Sequence, residues 1–246
     1  MMQDFQRKKI VVTGASSGIG RACALQLSQA GAEIVALGRN EAAISELGIA
    51  GLRPFTVDLA DEAAVKTLIT RLKAEVGPMD GLVLAAGIHT FRPLLMESFA
   101  DIQRPWSINV QSCLGFIAFM LKARLVAKGA GIVLFSSAAA HKAGAGAVSY
   151  AASKGALEAA TRALALELAS QRIRVNAVSA GVVRTPMSEG FLSKLTPEQL
   201  ASLESAHPMG IGAPEDVAGP VLFLLSSQAH WVTGVTLPVD GGYSIS

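Results

Sequence analysis

The sequence predicts one α/β domain built on a doubly wound, parallel, seven-stranded sheet with helices on both faces, and three observations carry that expectation. Short apolar runs alternate with helix-length stretches from Lys9 to the end of the chain, which is the pattern of successive βαβ units. A glycine-rich turn, T-G-A-S-S-G-I-G from Thr13 to Gly20, lies between the first such run and the first helix, where folds of this class bring backbone close to a ligand. Hydrophobic residues make up 51% of the chain and aromatics only 5%, so the core is drawn from Ala, Val, Leu and Ile, as strands covered on both faces require. A chain of 246 residues buries most of its unfolded surface as one three-layer unit, and residues 1–246 are expected to form a single domain.

Taken in order, K-I-V-V-T reads as a buried strand, and the glycine turn enters a helix that stops at Gly31, glycine being the residue that ends helices in a left-handed conformation. A strand is expected over 33–37, a short helix over 41–47, a strand over 54–57, a helix over 61–75 and a strand over 82–85. One long helix is expected over 99–127, with Pro105 near its start, followed by a strand at 132–136, a helix at 149–170 and a strand at 173–178. From Gly181 to Pro208 the periodicity fades except for a polar helical piece near 197–206. A stretch of that kind in a compact domain reads as a lid or binding loop, so a substrate-binding lid is expected at about 181–208. Pro214 opens a helix to about Leu225, and 235–239 forms the last strand before D-G-G-Y.

Composition narrows the partners. The net charge of +2 has no concentrated basic run behind it, which argues against nucleic acid. The apolar run 113–121 is far shorter than the ~20 residues of a membrane span, and the start M-M-Q-D-F-Q-R-K-K leads into a strand rather than an apolar signal core. Cys23 and Cys113 are the only cysteines and sit in helical patterns, so no disulfide framework is expected and a reducing, cytoplasmic setting fits. His89, His141, His207 and His230 show no ligand-like spacing, so no metal site is expected.

The residues that carry chemistry lie between Ser137 and Lys154. Tyr150 and Lys154 stand one helical turn apart on one face, and a cation near a phenol favours the phenolate, so the Tyr150 pKa is expected to fall from its ordinary value of about 10. A tyrosine so tuned is a general acid or base. Ser137 ends an apolar run, so a strand delivers its hydroxyl beside the helix of Tyr150. In the glycine turn, Gly14, Gly18 and Gly20 let the chain turn tightly beneath a pyrophosphate while the helix N-terminus offers free N–H groups.

Together these pieces resemble the short-chain dehydrogenase/reductase family from about Lys8 to Gly242. The matching segments are T-G-A-S-S-G-I-G, Asp58 in V-D-L, A-A-G at Ala85 to Gly87, Asn109 in I-N-V, Ser137, Y-A-A-S-K, R-V-N-A-V-S-A-G, Thr185 and V-T-G-V-T-L-P-V-D-G-G. The resemblance implies a Rossmann-type fold and a catalytic tetrad of Asn109, Ser137, Tyr150 and Lys154. It also implies a nicotinamide dinucleotide held by Gly14, Ser16, Ser17, Gly18, Ile19, Gly20, Arg39, Asp58, Leu59, Ala85, Gly87, Tyr150, Lys154, Val183 and Thr185. In the family the serine polarises the substrate oxygen, the tyrosine exchanges its proton, the lysine holds the ribose hydroxyls and the asparagine binds a water. Asp58 is expected at the adenine amine, with capping of the following helix as the alternative role, one that Asp61 serves equally well.

Two departures from the family pattern stand out. Leu84, Ala85, Ala86 and Gly87 replace the common N-N-A-G, and Ala180-Gly181 replaces Pro-Gly, which points to altered affinity rather than lost activity. At the end of the second strand Gly38 fills the usual acidic position and Arg39 follows. A carboxylate there would accept from the ribose of NAD, whereas a guanidinium pairs with a 2′-phosphate, so NADP(H) is expected, with NAD(H) as the alternative.

The expected protein is an NADPH-dependent carbonyl reductase, reversibly a secondary alcohol dehydrogenase, resembling ketoreductases of the 3-oxoacyl-acyl-carrier-protein type. Lys128, Arg172 and Arg124 make only a thin basic face for an acidic carrier, and a small free ketone, sugar or cyclic alcohol fits equally. The alternatives are an NAD-dependent dehydrogenase of a sugar, steroid or other hydroxy compound, and a non-catalytic dinucleotide sensor or scaffold. The lid with His89, Thr90, Phe91, Ala139, His141 and Ala145 is expected to shape the substrate pocket. Phe116, Phe119, Met120, Ala159, Ala163 and Leu166 spread apolar surface over more than one helix face, and by resemblance the chain is expected to assemble as a homotetramer.

Overall fold

The computed structural model of the chain describes residues 5–142 and 144–246. Among them, seven strands form one sheet: β1 (Lys9–Thr13), β2 (Glu33–Gly38), β3 (Arg53–Thr56), β4 (Met79–Leu84), β5 (Val126–Ser137), β6 (Arg174–Ala180) and β7 (Thr236–Val239). Their order is β3-β2-β1-β4-β5-β6-β7, and every neighbouring pair is parallel. The chain winds outward from β1 to β3, then returns to pair β4 with β1 and winds the other way. The carboxyl ends of β1 and β4 therefore border the crevice where ligands bind in open sheets of this kind.

Helices α1 (Gly18–Gln29), α2 (Glu41–Ser45) and α9 (Pro214–Leu225) cover one face, and α3 (Glu62–Glu75), α5 (Ser112–Lys122) and α6 (Val148–Leu168) cover the other. The strand periodicity of two sorts the core accordingly. Val11, Leu82, Leu84, Ile132 and Leu134 join one apolar cluster, while Ile10, Val12, Val83, Val133 and Phe135 join the second. Ile34, Leu37, Leu82 and Met79 are fully buried, and each such side chain contributes roughly 1.5–3 kcal/mol relative to exposure.

The single long helix expected over 99–127 is three pieces and ends sooner. The helix α4 (Phe99–Pro105) passes into a π-helical segment, Trp106–Gln111, before α5, and Arg124 turns left-handed at φ 59°. Ala127 lies within β5, where Val126 pairs with Met79 before a register shift brings Gly131 beside Gly81. No glycine or proline marks that boundary in the sequence, and L-V-A continues the apolar run, so periodicity alone ran past it. The stretch 181–208 contains two helices, α7 (Pro186–Leu192) and α8 (Pro197–Ser205). Both begin with a threonine, Thr185 or Thr196, whose side chain accepts from a backbone N–H and opens a capping box. The T-P signal was present twice, and α7 escaped because its seven residues are too few to show a period.

Of the apolar residues that suggested assembly surfaces, Phe116 and Met120 are core residues facing the sheet, whereas Leu166 is 82% exposed. No helix among the described residues is long and apolar enough to cross a membrane.

Candidate active site

A cavity of about 480 Å³ runs across the carboxyl ends of the strands. Its nucleotide end is made by backbone. Gly14 has φ 67°, and a Cβ there would stand 3.0 Å from Ala86 N. A Cβ on Gly20 would overlap the carbonyl oxygen of Gly14. The turn, the end of β4 and the start of α1 thus meet without room for a side chain. Thr13 Oγ1 accepts from Ala86 N at 3.0 Å, which ties β1 to β4 even though alanines replace the family's asparagines. Ser17 precedes α1 with no side-chain cap, so the first N–H groups of the helix keep their donor capacity. Ser16, Ser17, Gly18, Ile19, Gly38, Arg39, Asp58, Leu59, Ala85 and Gly87 all line this end.

Asp61 caps α3, accepting from Ala63 N and Ala64 N at 2.9 and 3.1 Å. Asp58 is not the cap. Its Oδ1 accepts from Ala60 N at 2.9 Å in an exposed turn at the cavity edge. Arg39 is exposed and makes no hydrogen bond or ion pair with the described residues, so its guanidinium is available at the end of β2.

The opposite end is made by side chains. Ser137 closes β5, and its Oγ accepts from Ala139 N at 3.2 Å, capping the 3₁₀ turn Ala138–Ala140. The same hydroxyl hydrogen-bonds the phenol of Tyr150. Lys154, one turn along α6, is buried and donates from Nζ to Phe135 O at 2.9 Å. Burial brings its pKa down to about 8. Val183 and Thr185 follow β6, and the Thr185 Cγ2 lies where it would meet a Cβ on Gly18 at 3.1 Å. The two ends of the cavity are therefore in contact through Thr185.

The expected direction of the tyrosine shift is reversed. Burial raises the Tyr150 pKa above its ordinary 10.0, and the Ser137 hydrogen bond offsets only part of that rise. Lys154 stands 5.8 Å from the phenol ring with one of its three N–H groups directed to Phe135 O, and at that distance desolvation of the phenolate outweighs the cation. Spacing on a helix gave the neighbour, but it could not give the burial.

Asn109 sits in the π-helical segment and is 1% exposed. Its Oδ1 accepts from Ile88 N at 2.8 Å, and its Nδ2 donates to Ile88 O and Ser153 Oγ, both at 3.1 Å. The side chain braces the segment after Gly87 against the helix of Tyr150. π-segments recur at functional sites.

His89, Phe91 and Ala139 line the cavity as the sequence suggested, whereas Thr90, His141 and Ala145 do not. His141 instead pairs through Nε2 with Glu158 Oε1 at 2.8 Å, and Ser136 Oγ donates to the same oxygen at 2.6 Å. Glu158 had no signal except its place one turn beyond Lys154 on α6. Tyr243 and Lys142 also enter the wall, joined because Lys142 Nζ donates to Tyr243 O at 3.0 Å. That contact spans distant parts of the chain and leaves no mark in sequence. Cys23 and Cys113 are buried and unbonded, and burial pushes both thiols up to about 12.

A strand-turn-helix cradle for a dinucleotide, facing a half-buried serine and a buried tyrosine and lysine across one cavity, defines an oxidoreductase of alcohols and carbonyls. A family model described as Enoyl-(Acyl carrier protein) reductase matches residues 14–244. The L-xylulose reductase of Mus musculus is 36% identical over 241 residues, covering 96% of each chain. The L-rhamnose 1-dehydrogenase (NAD(P)(+)) of Sphingomonas sp. (strain SKA58) is 31% identical over 258 residues, covering 100% of this chain and 99% of that protein. A solved structure described as a short chain dehydrogenase/reductase family protein superposes with a TM-score of 0.85 at 36% identity, over 99% of this chain and 100% of that one. The chain belongs to the short-chain dehydrogenase/reductase family.

Proposed function

We propose that the chain is an NADPH-preferring reductase of small ketones, running reversibly as a secondary alcohol dehydrogenase. The observation that carries this reading is the Ser137–Tyr150–Lys154 group, with Tyr150 and Lys154 buried and Ser137 half-buried, at one end of a cavity whose other end is the glycine turn. Burial holds Tyr150 as a neutral phenol at neutral pH, the state that gives a proton to a carbonyl oxygen. Ser137 orients the phenol and polarises the same oxygen. Lys154 is placed to hold ribose hydroxyls. The backbone of Asn109, in the wider π register, is the group for the family's water contact, its amide being committed to Ile88 and Ser153. A bound nicotinamide dinucleotide supplies the hydride. Gly14 and Gly20 leave the space its pyrophosphate needs, the first N–H groups of α1 face that space, and Arg39 beside Gly38 offers a guanidinium to a 2′-phosphate.

The names of the relatives, a xylulose reductase and a rhamnose dehydrogenase, support a small oxygenated substrate over a carrier-bound acyl chain. The second of these names includes NAD(P)(+), which favours, as the second reading, a sugar dehydrogenase able to use NAD.

The test is Tyr150→Phe. Removing the transferable proton is expected to lower kcat by roughly 10²–10⁴-fold while NADPH affinity, read by fluorescence titration, stays unchanged. In the oxidative direction the tyrosine must first lose its proton, and its pKa is raised above 10.0. The kcat/KM for alcohol oxidation by the unmodified protein should therefore keep climbing with pH from neutrality through about pH 10 without levelling off, with no matching climb for ketone reduction. Near-normal turnover in Tyr150→Phe would overturn the assignment.

A further inference from the structure

We infer that His89 recognises the substrate, by hydrogen bonding to a hydroxyl on the carbon next to the reacting carbonyl, and that the preferred substrates are small α-hydroxyketones with a short or apolar remainder. This rests on the ketone-reductase reading and adds to it one residue and a substrate class.

The imidazole is fixed from behind and open in front. Both backbone groups of Ile88 are held by the Asn109 amide, so the residue that follows has a defined position. Its ring meets Tyr150 edge-on, with centroids 4.6 Å apart and planes at 74°, and faces Phe191 of α7 at 5.7 Å. The two rings are in contact on one cavity wall, so a group bonded to this imidazole lies beside the carbonyl that Tyr150 serves.

The other polar side chains at this end are already engaged. Lys142 Nζ donates to Tyr243 O, Ser246 O and Ser246 Oγ at 3.0, 2.6 and 3.0 Å. Ser188 Oγ donates to Val183 O at 2.6 Å. Among the described residues neither ring nitrogen of His89 makes a hydrogen bond. The rest of the wall is apolar, with Phe91, Ala139, Ala147, Met187 and Phe191.

Burial, with Lys154 nearby, pushes the imidazole pKa down, so the ring is neutral and carries one donor and one acceptor. A hydroxyl is its complement, being donor and acceptor at once. A half-buried imidazole left unpaired against a closing substrate is costly, which turns the absence of the hydroxyl into a penalty. One imidazole serves one hydroxyl. The remaining hydroxyls of a long polyol would lie against Phe91 and Met187, which are exposed and offer no polar group, so they gain water but no protein partner and the wall rewards the single vicinal hydroxyl.

The test compares 1-hydroxy-2-butanone with 2-butanone, which differ by that hydroxyl alone, using the full-length protein with NADPH. The unmodified protein should favour the hydroxyketone in kcat/KM. His89→Phe keeps a ring against Tyr150 and Phe191, and should lower the hydroxyketone-to-ketone ratio by about tenfold or more. His89→Gln restores a donor and an acceptor and should recover part of the ratio. NADPH affinity is read for both variants, because a folding defect lowers it and a recognition role does not. An unchanged ratio in His89→Phe, or no preference in the unmodified protein, overturns the inference and leaves the reductase reading standing. Failure of the unmodified protein to reduce either ketone with NADPH or NADH removes the reductase reading and this inference with it.

Discussion

The two ends of the cavity use opposite means to the same end. At the nucleotide end the contacts are backbone: the Gly14–Gly20 turn, the uncapped start of α1 and the alanines that follow β4. At the substrate end the contacts are side chains from separate segments, with Ser137 from β5, Tyr150 from α6, His89 from the loop after β4 and Phe191 from α7. A backbone cradle demands glycine at fixed places, because any Cβ collides. A side-chain wall demands only that the fold bring the right groups together. The first kind of site is rigid in sequence and general in ligand, and the second is free in sequence and particular in ligand.

Glycines present in both regions put that difference to its most severe test. A Cβ on Gly20 would overlap Gly14 O and lie 3.2 Å from Thr13 O, backbone atoms that can yield only by moving α1 off β1. Overpacking of this kind costs roughly 1–3 kcal/mol, so Gly20→Ala is expected to weaken NADPH binding by up to about a hundredfold. Gly144, in the loop between β5 and α6, has nothing within 4 Å of the corresponding position and no positive φ. Gly144→Ala should leave NADPH affinity within about twofold, surface changes being worth under about 0.5 kcal/mol. Equal losses in the two variants, by fluorescence titration, would break the distinction between cradle and wall.

Arg39 offers the nucleotide end a side chain rather than backbone, and it should behave like the wall, adjustable without harm to the fold. Arg39 is exposed and unpaired among the described residues, and a guanidinium–phosphate pair contributes on the order of 1.5–3 kcal/mol. NADPH should therefore be preferred to NADH by roughly ten- to a hundredfold in kcat/KM, less at high salt. The double change Gly38→Asp with Arg39→Ser should reverse the preference. Position 38 admits a side chain, since its nearest obstacle is Ile44 Cδ1 at 3.1 Å, the far end of a flexible residue. Equal use of NADH and NADPH by the unmodified protein would mean that Arg39 points into solvent, and would make the NAD-dependent sugar dehydrogenase the first reading.

The same contrast explains what the sequence made legible. The strand β1, the helix α9 and the glycine turn were readable to the residue because glycines, a proline and apolar runs mark them. Tyr150, Lys154 and Ser137 were readable because two of them share a helix turn and the third ends a strand. The raised pKa of Tyr150 was not readable, since desolvation depends on the layers that close over the phenol rather than on the spacing of its neighbours. Nor was the end of α5, where Arg124 turns left-handed without a glycine to announce it. The wall residues Tyr243 and Lys142 lie far apart in the chain and meet only through the wound sheet.

A smaller expected loss isolates the substrate end from the nucleotide end. Glu158 is 7% exposed and receives two donors, Ser136 Oγ at 2.6 Å and His141 Nε2 at 2.8 Å. These partners stand on either side of the turn that carries Ser137, Ala138 and Ala139, so one carboxylate on α6 clamps both ends of that wall segment. Ser136 is internal to β5 and stays in place through the sheet, paired with Ser179. His141 has no such support and its side chain is 47% exposed, so water screens its pair in part. His141→Ala should therefore loosen only the far end of the segment, raising the KM for the ketone by about three- to tenfold, the worth of a partly screened charge-assisted bond. The NADPH dissociation constant and the Tyr150-dependent step should be little changed, because neither the glycine turn nor α6 moves. His141→Gln, which can still donate to Glu158, should recover part of the loss. A rise in the NADPH dissociation constant that matches the rise in KM would mean that the clamp supports the whole cavity, and that its two ends are one mechanical unit.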